Sequence, residues 1–206
     1  METLKDKNSK KFAYSLAASN HTDSDREDED FYATPPFVVK ELLKQLEIEG
    51  VKIHRTVLDP CCGMGHILNS LPEDYKKLGI DLVDRKWPGT VQKDFLSNEE
   101  HYSETDIITN PPYSIALDFM KKSLEAVDDG AIVAAFLKIQ FLEGKKRYPF
   151  LIENPPLYVM PYAQRVNCGK NGIFQDEGRG NSMAMFAWFV WQKGFKGTTK
   201  LKLLNY

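Results

Sequence analysis

The chain is poor in most features that mark a specialised protein class. Its three cysteines in 206 residues are too few for a disulfide framework, and Cys61 and Cys62 are adjacent, which fits a reducing compartment. No apolar leader and no run of about 18 apolar residues occur, so a soluble, cytoplasmic protein is expected. Net charge is only −2, without the strong basic bias that advertises a nucleic-acid partner. A Gly-x-Gly-x-x-Gly fingerprint is missing as well. After Gly63 and Gly65 the third position holds Leu68, which disfavours a nicotinamide dinucleotide. No metal is expected.

What is present points to one packed α/β domain. Hydrophobic residues make up 42% of the chain and aromatics 12%, enough for a core, and the length suits a single catalytic domain over 30–206. Residues 1–29 are polar and charged and read as a flexible lead-in. Charge is unevenly spread. Residues 23–30 hold six acids and one base, so without them the chain would carry +3. Lys138, Lys145, Lys146 and Arg147 form one basic cluster and Lys193, Lys196, Lys200 and Lys202 another, each suited to phosphates or to ordinary solvation.

Apolar patterning alternates strand and helix. Pro35-Pro36 precedes a helical stretch over 37–46 that ends before Gly50. Strands are expected at 56–59, 78–82, a short stretch before Asp94, 106–109, 130–137, 157–160 and 183–191. Helices are expected at 66–71 and 115–127, and a loop at 138–149. This order predicts a doubly wound, mostly parallel sheet.

In such a sheet, ligands sit beyond the carboxyl ends of the strands. There the first core strand meets a glycine turn, Asp59-Pro60-Cys61-Cys62-Gly63-Met64-Gly65. Glycines let a ligand approach the backbone closely. Asp81 ends the next strand, 22 residues on, where a carboxylate can accept two ribose hydroxyls. Asp94 follows the third strand with Phe95 beside it, a carboxylate for an adenine amine and a ring for its face. Asp59 suits the cationic end of such a ligand.

The fourth strand runs into Asn110-Pro111-Pro112-Tyr113. Two prolines fix φ and remove two donors, leaving the Asn110 side chain and the Pro111 carbonyl as acceptors for the two hydrogens of a planar NH2 group. Tyr113 can stack on the ring that carries it. No Cys–His or Ser–His pair stands near, so direct transfer to the amine by positioning and charge stabilisation is favoured over covalent catalysis. Asn154-Pro155-Pro156 spells the same letters without the aromatic or the preceding strand, and is read as a loop.

These residues resemble the class I, Rossmann-like S-adenosylmethionine-dependent methyltransferases, and among them the DNA adenine-N6 enzymes of small phage and prophage type. Residues 59–65 look like cofactor motif I, Asp81 and Asp94 fall at motifs II and III, and Asn110–Tyr113 looks like motif IV, with Asn110 also bordering the cofactor. Upstream, Asp30-Phe31-Tyr32-Ala33-Thr34-Pro35-Pro36 resembles motif X, with Tyr32, Thr34 and Pro35 as cofactor contacts. The resemblance implies a seven-stranded sheet with a C-terminal antiparallel hairpin. It further implies S-adenosyl-L-methionine as cofactor and a flipped-out target base. Phe174 is the expected second aromatic at that base, and the cluster from Lys138 to Arg147 the expected DNA contact.

The chain departs from sequence-specific enzymes in having no room for a recognition domain: only 44 residues separate Gly65 from Asn110. Recognition is expected from short loops, a second subunit or a partner. An RNA adenine methyltransferase and a protein-glutamine methyltransferase use the same hydrogen-bond logic and stand as the rival activities, and a catalytically idle binding module as the rival of another class.

Overall fold

A computed structural model describes residues 32–170, 172, 174 and 184–205. The acidic segment 23–30 and most of residues 167–181 lie outside the described residues. In chain order the elements are β1 (Tyr32–Ala33), α1 (Pro36–Ile48), β2 (Thr56–Asp59), α2 (His66–Asn69), β3 (Lys76–Asp81), β4 (Thr90–Gln92), β5 (Thr105–Thr109), α3 (Ala116–Glu125), β6 (Ile132–Lys138), α4 (Arg147–Glu153), β7 (Tyr158–Pro161), β8 (Gly169–Lys170), β9 (Phe186–Gln192) and β10 (Lys200–Leu201).

The main sheet runs β10-β7-β9-β6-β5-β2-β3-β4. All neighbours are parallel except β9, which is antiparallel to both β6 and β7. The chain leaves β2 toward β3 and β4 on one side and returns to build β5 and β6 on the other. The order therefore reverses between β2 and β5, and a crevice opens beyond their carboxyl ends. Period-2 alternation loads both faces. Val57, Ile108, Phe136 and Trp188 pack under α1 and α2. Leu58, Ile107, Val133 and Phe189 pack under α3 and α4. Because both faces are covered, β6 is apolar at six successive buried positions. Helix α1 begins with Pro36 in its first turn and buries Val38, Val39, Leu42 and Leu46 on one stripe.

The doubly wound sheet and the antiparallel C-terminal pair match expectation; the strand count does not. An eighth strand, β10, lies along β7 through a two-residue ladder, too short and too polar to show in the pattern. Outside the main sheet, β1 pairs with β8 and ties the residues before α1 to those after β7. Helix α2 stops at Asn69 rather than 71, close ahead of Pro72, whose ring disfavours helix in the residue before it. The expected loop at 138–149 is instead a 3-10 turn, Ile139–Leu142, and the start of α4. Phe141 anchors this stretch against Phe189. Asn154 leads from α4 into β7 at the amino end of the sheet, opposite the crevice, and its carbonyl accepts from Trp191 Nε1 at 2.9 Å.

At that amino end Asp106 is fully buried. Its carboxylate accepts from Ile132 N at 2.7 Å and from both the backbone amide and Nδ1 of His54. It thereby joins the entry of β2 to β5 and β6. Asp106→Ala strands these donors, and a loss of about 3 kcal/mol is expected in urea unfolding of the variant.

Candidate active site

The crevice is built from the carboxyl ends of β2, β3 and β5. Asp59, the last residue of β2, is buried, and its Oδ1 accepts from Thr109 Oγ1 at 2.8 Å and from Cys61 N at 3.3 Å. Burial pushes its carboxyl up to about 7, against the opposing pull of the Thr109 hydroxyl and the Cys61 amide. Cys61 Sγ lies 3.0 Å from Thr109 Oγ1 and 3.4 Å from the Asn110 carbonyl oxygen. Burial raises the Cys61 thiol far above its usual value, so it remains a thiol. Four groups from β2 and β5 thus lock together across the point where the strand order reverses.

The glycine turn follows. Gly63 and Gly65 both have positive φ, +55° and +75°. Asp81 closes the turn from β3: its Oδ2 accepts from Gly63 N at 2.8 Å and its Oδ1 from Val83 N at 2.9 Å. Each oxygen keeps a second lone pair, so the carboxylate anchors the turn and can still accept from a ligand hydroxyl. Burial raises its pKa, opposed by these backbone donors.

Sequence reasoning passed over Trp87. A Cβ on Gly65 would stand 1.9 Å from the Trp87 ring, and one on Gly79 2.7 Å from it. The indole Nε1 donates to Asn69 Oδ1 at 2.9 Å. Trp87 fills the space under the turn that the four-residue α2 leaves open. The signal was available: two glycines facing one face of a crossover that carries a lone tryptophan.

Asn110 has one buried side-chain nitrogen and oxygen in different situations. Its Nδ2 donates to the Tyr32 carbonyl at 3.1 Å, 78 residues away. That bond orients the amide, because a flipped amide would set oxygen against oxygen. Its Oδ1 is then buried with no hydrogen-bond partner among the described residues. Tyr32 is thus brought to Asn110. Thr34 and Pro35 are buried, and the Pro35 carbonyl accepts from Val38 N at 3.0 Å to start α1. Pro60 and Pro111 are buried behind the crevice.

Tyr113 is half-buried. Its ring lies 5.8 Å from that of Phe186, tilted 44°, and Lys138 Nζ sits over it at 5.0 Å from the centroid. Its hydroxyl is 4.0 Å from Cys168 Sγ, and burial raises the phenol pKa well above the usual value. Beside it a groove of about 630 Å³ is lined by Ser114, Leu117, Lys121, Lys145 and Lys146. A cavity of similar size, about 660 Å³, lies by Trp191 and Asn154 at the amino end of the sheet. Lys193 and Lys196 there are engaged by the carbonyls of Val127 and Glu153, and it has no part in the crevice.

Four expected contacts are placed differently. Phe95 is fully buried and stacked on Phe119 at 5.7 Å, so its ring belongs to the core and is not offered to a ligand. Asp94 next to it is half-buried and caps its own turn by accepting from Leu96 N at 3.0 Å. Arg147 is spent locally: its guanidinium donates to the Glu143 and Gln140 carbonyls and lies over the Phe141 ring at 5.5 Å. Phe174 meets His66 edge-on at 5.2 Å, which puts it on the glycine-turn side rather than against Tyr113. Among the described residues no group of three His, Cys, Asp or Glu side chains is placed to hold a metal ion, and no helix is long and apolar enough to cross a membrane.

No protein-family model and no curated protein sequence matches the chain. Solved structures do. A candidate class I S-adenosylmethionine-dependent methyltransferase from Listeria monocytogenes superposes with TM-score 0.56 at 16% identity, over 84% of this chain and 65% of its own. A candidate RNA methyltransferase from Pyrococcus horikoshii gives 0.56 at 12% identity, over 90% of this chain and 98% of its own. The methyltransferase subunit of a type I restriction-modification system from Streptococcus thermophilus gives 0.59 at 12% identity, over 85% of this chain and 47% of its own. The chain spans under two thirds of the first and about half of the third. The fold is the Rossmann-like α/β fold that these proteins share.

The buried carboxyl makes a test independent of any ligand. With its folded pKa raised to about 7, Asp59 holds a proton in the folded chain that the unfolded chain releases. The resulting stabilisation is complete below about pH 4 and lost as pH rises through about 7. Thermal unfolding of wild type and Asp59→Asn across pH 4–8 should show the difference between them drifting against the wild type over that window.

Proposed function

We propose that the chain is an S-adenosylmethionine-dependent methyltransferase acting on the exocyclic N6 amine of adenine in DNA, with the base flipped out of the helix. The observation that carries this reading is the buried Oδ1 of Asn110, which has no partner among the described residues and is held in a fixed direction by the bond from Nδ2 to the Tyr32 carbonyl. An unsatisfied buried acceptor costs about 1–3 kcal/mol, and an incoming NH2 group relieves it.

The residues fit the cofactor. Gly63 gives the close backbone approach, while the side of Gly65 is taken by Trp87; Asp81 offers lone pairs to ribose hydroxyls, and Asp59 lies at hand for a cationic group. When bound, S-adenosylmethionine supplies an electrophilic methyl group on a sulfonium. The chain's own residues do the rest. Asn110 Oδ1 and the Pro111 carbonyl accept the two amine hydrogens and turn the nitrogen lone pair out of the ring plane. Pro111 and Pro112 hold those acceptors rigid, and the Cys61–Thr109–Asp59 cluster fixes Asn110 from behind. The gain is positional and electrostatic, realised as charge develops on the amine.

DNA is favoured by the Tyr32–Pro35 segment at the strip and by the restriction-modification subunit among the similar structures. RNA is the second reading, supported by the Pyrococcus protein, which matches over its whole length. Recognition would be short and relaxed, or supplied by a partner. Sequencing modified bases in DNA from an expressing strain tests this; a long fixed recognition sequence would refute it.

A radiolabelled methyl-transfer assay offering duplex DNA, structured RNA and protein should label N6-adenine in DNA. Asn110→Ala should keep cofactor binding and lose transfer by on the order of 10²-fold or more; undiminished turnover would remove the assigned role. Tyr113→Ala should cost less, about 1–3 kcal/mol, the worth of one base stack.

A further inference from the structure

One side of the Tyr113 ring is closed for good. Phe186 stands against it from β9, itself buried and stacked on Phe136 at 5.1 Å. The Lys138 ammonium lies over the ring, 5.0 Å from its centroid. Lys138 is the last residue of β6 and pairs in register with Phe186, so both reach the ring from adjacent strands. A base that stacks on the face under Lys138 must take the place of the ammonium, whose stem is flexible where Phe186 is fixed.

We propose that Lys138 is the selectivity residue of the acceptor site: it covers Tyr113 until an acceptor arrives that joins a planar amine-bearing ring to a neighbouring phosphate. The ring then replaces the ammonium on Tyr113, and the ammonium moves to that phosphate. The inference rests on the nucleic-acid reading above and deepens it. A cation over a ring and a base over the same ring are interactions of similar strength, so exchange on Tyr113 alone decides little. The phosphate decides. An acceptor without one, such as a glutamine side chain or a free nucleoside, strands a charge that is already partly desolvated, and burial already lowers the Lys138 pKa. The groove from Tyr113 past Lys121, Lys145 and Lys146 continues the positive track for the flanking strand, with Asp118 the acid among its lining.

The test is fluorescence anisotropy of an adenine-containing oligonucleotide, single-stranded and duplex, with S-adenosylhomocysteine present, over a salt series. Wild type, Lys138→Met, Lys138→Gln and Lys138→Arg are compared, each checked for folding by circular dichroism. Lys138→Met and Lys138→Gln should flatten the slope of log affinity against log salt by about 0.7–0.9, one phosphate contact, while Lys138→Arg restores it. Adenosine, which has no phosphate, should bind the Met and Gln variants at least as well as wild type. A merely structural lysine would weaken both ligands alike and leave the slope unchanged. An unchanged slope in variants of a wild type that binds and methylates DNA overturns this inference alone. A wild type that binds no oligonucleotide overturns the nucleic-acid reading, and this inference with it.

Discussion

Everything at the crevice depends on one hydrogen bond between strands that lie on either side of the reversal in sheet order, from Thr109 Oγ1 to Asp59 Oδ1. A doubly wound sheet must open there, because the chain departs in opposite directions, and an opening weakens what borders it. The bond closes the gap from beneath. It sets the height of β5 against β2, and so the height of Asn110 against the glycine turn. Cys61 adds a second tie to the Asn110 carbonyl. The segment Asn110–Tyr113 and the glycine turn then move as one body.

The same economy appears in the crossovers. Parallel strands are usually joined through a helix that covers the sheet. Here α2 has four residues, and none of residues 82–89 between β3 and β4 is helical. A single indole from that connection covers Gly65 and Gly79 instead. Covering surface with one rigid ring asks less ordering entropy than two turns of helix.

Much of this was legible in the sequence. Period-2 and period-3.6 patterns revealed the order of strands and helices, because burial on both faces leaves an apolar run that little else produces. Asp59, Asp81 and Asn110 were legible because strand ends in this architecture converge. Other features were not. Phe95 follows an acid at a strand end just as a ligand-facing ring would, yet the single-residue parity of the turn at Asp94 rotates it into the core beside Phe119. Arg147 reads as a free cation in a basic run, but the turn at Gly144 presents carbonyls that capture it. Lys138 over Tyr113 and Tyr32 against Asn110 are contacts across long separations, which local patterns do not encode.

The pairing of β1 with β8 is only two residues long on each side. Such a patch is among the first to open in a folded chain, at far lower free energy than global unfolding. Yet it carries the Tyr32 carbonyl that orients Asn110. The direction of the Asn110 amide is therefore tied to a two-residue ladder at the margin of the fold. A fluctuation that leaves the core untouched lets the amide rotate.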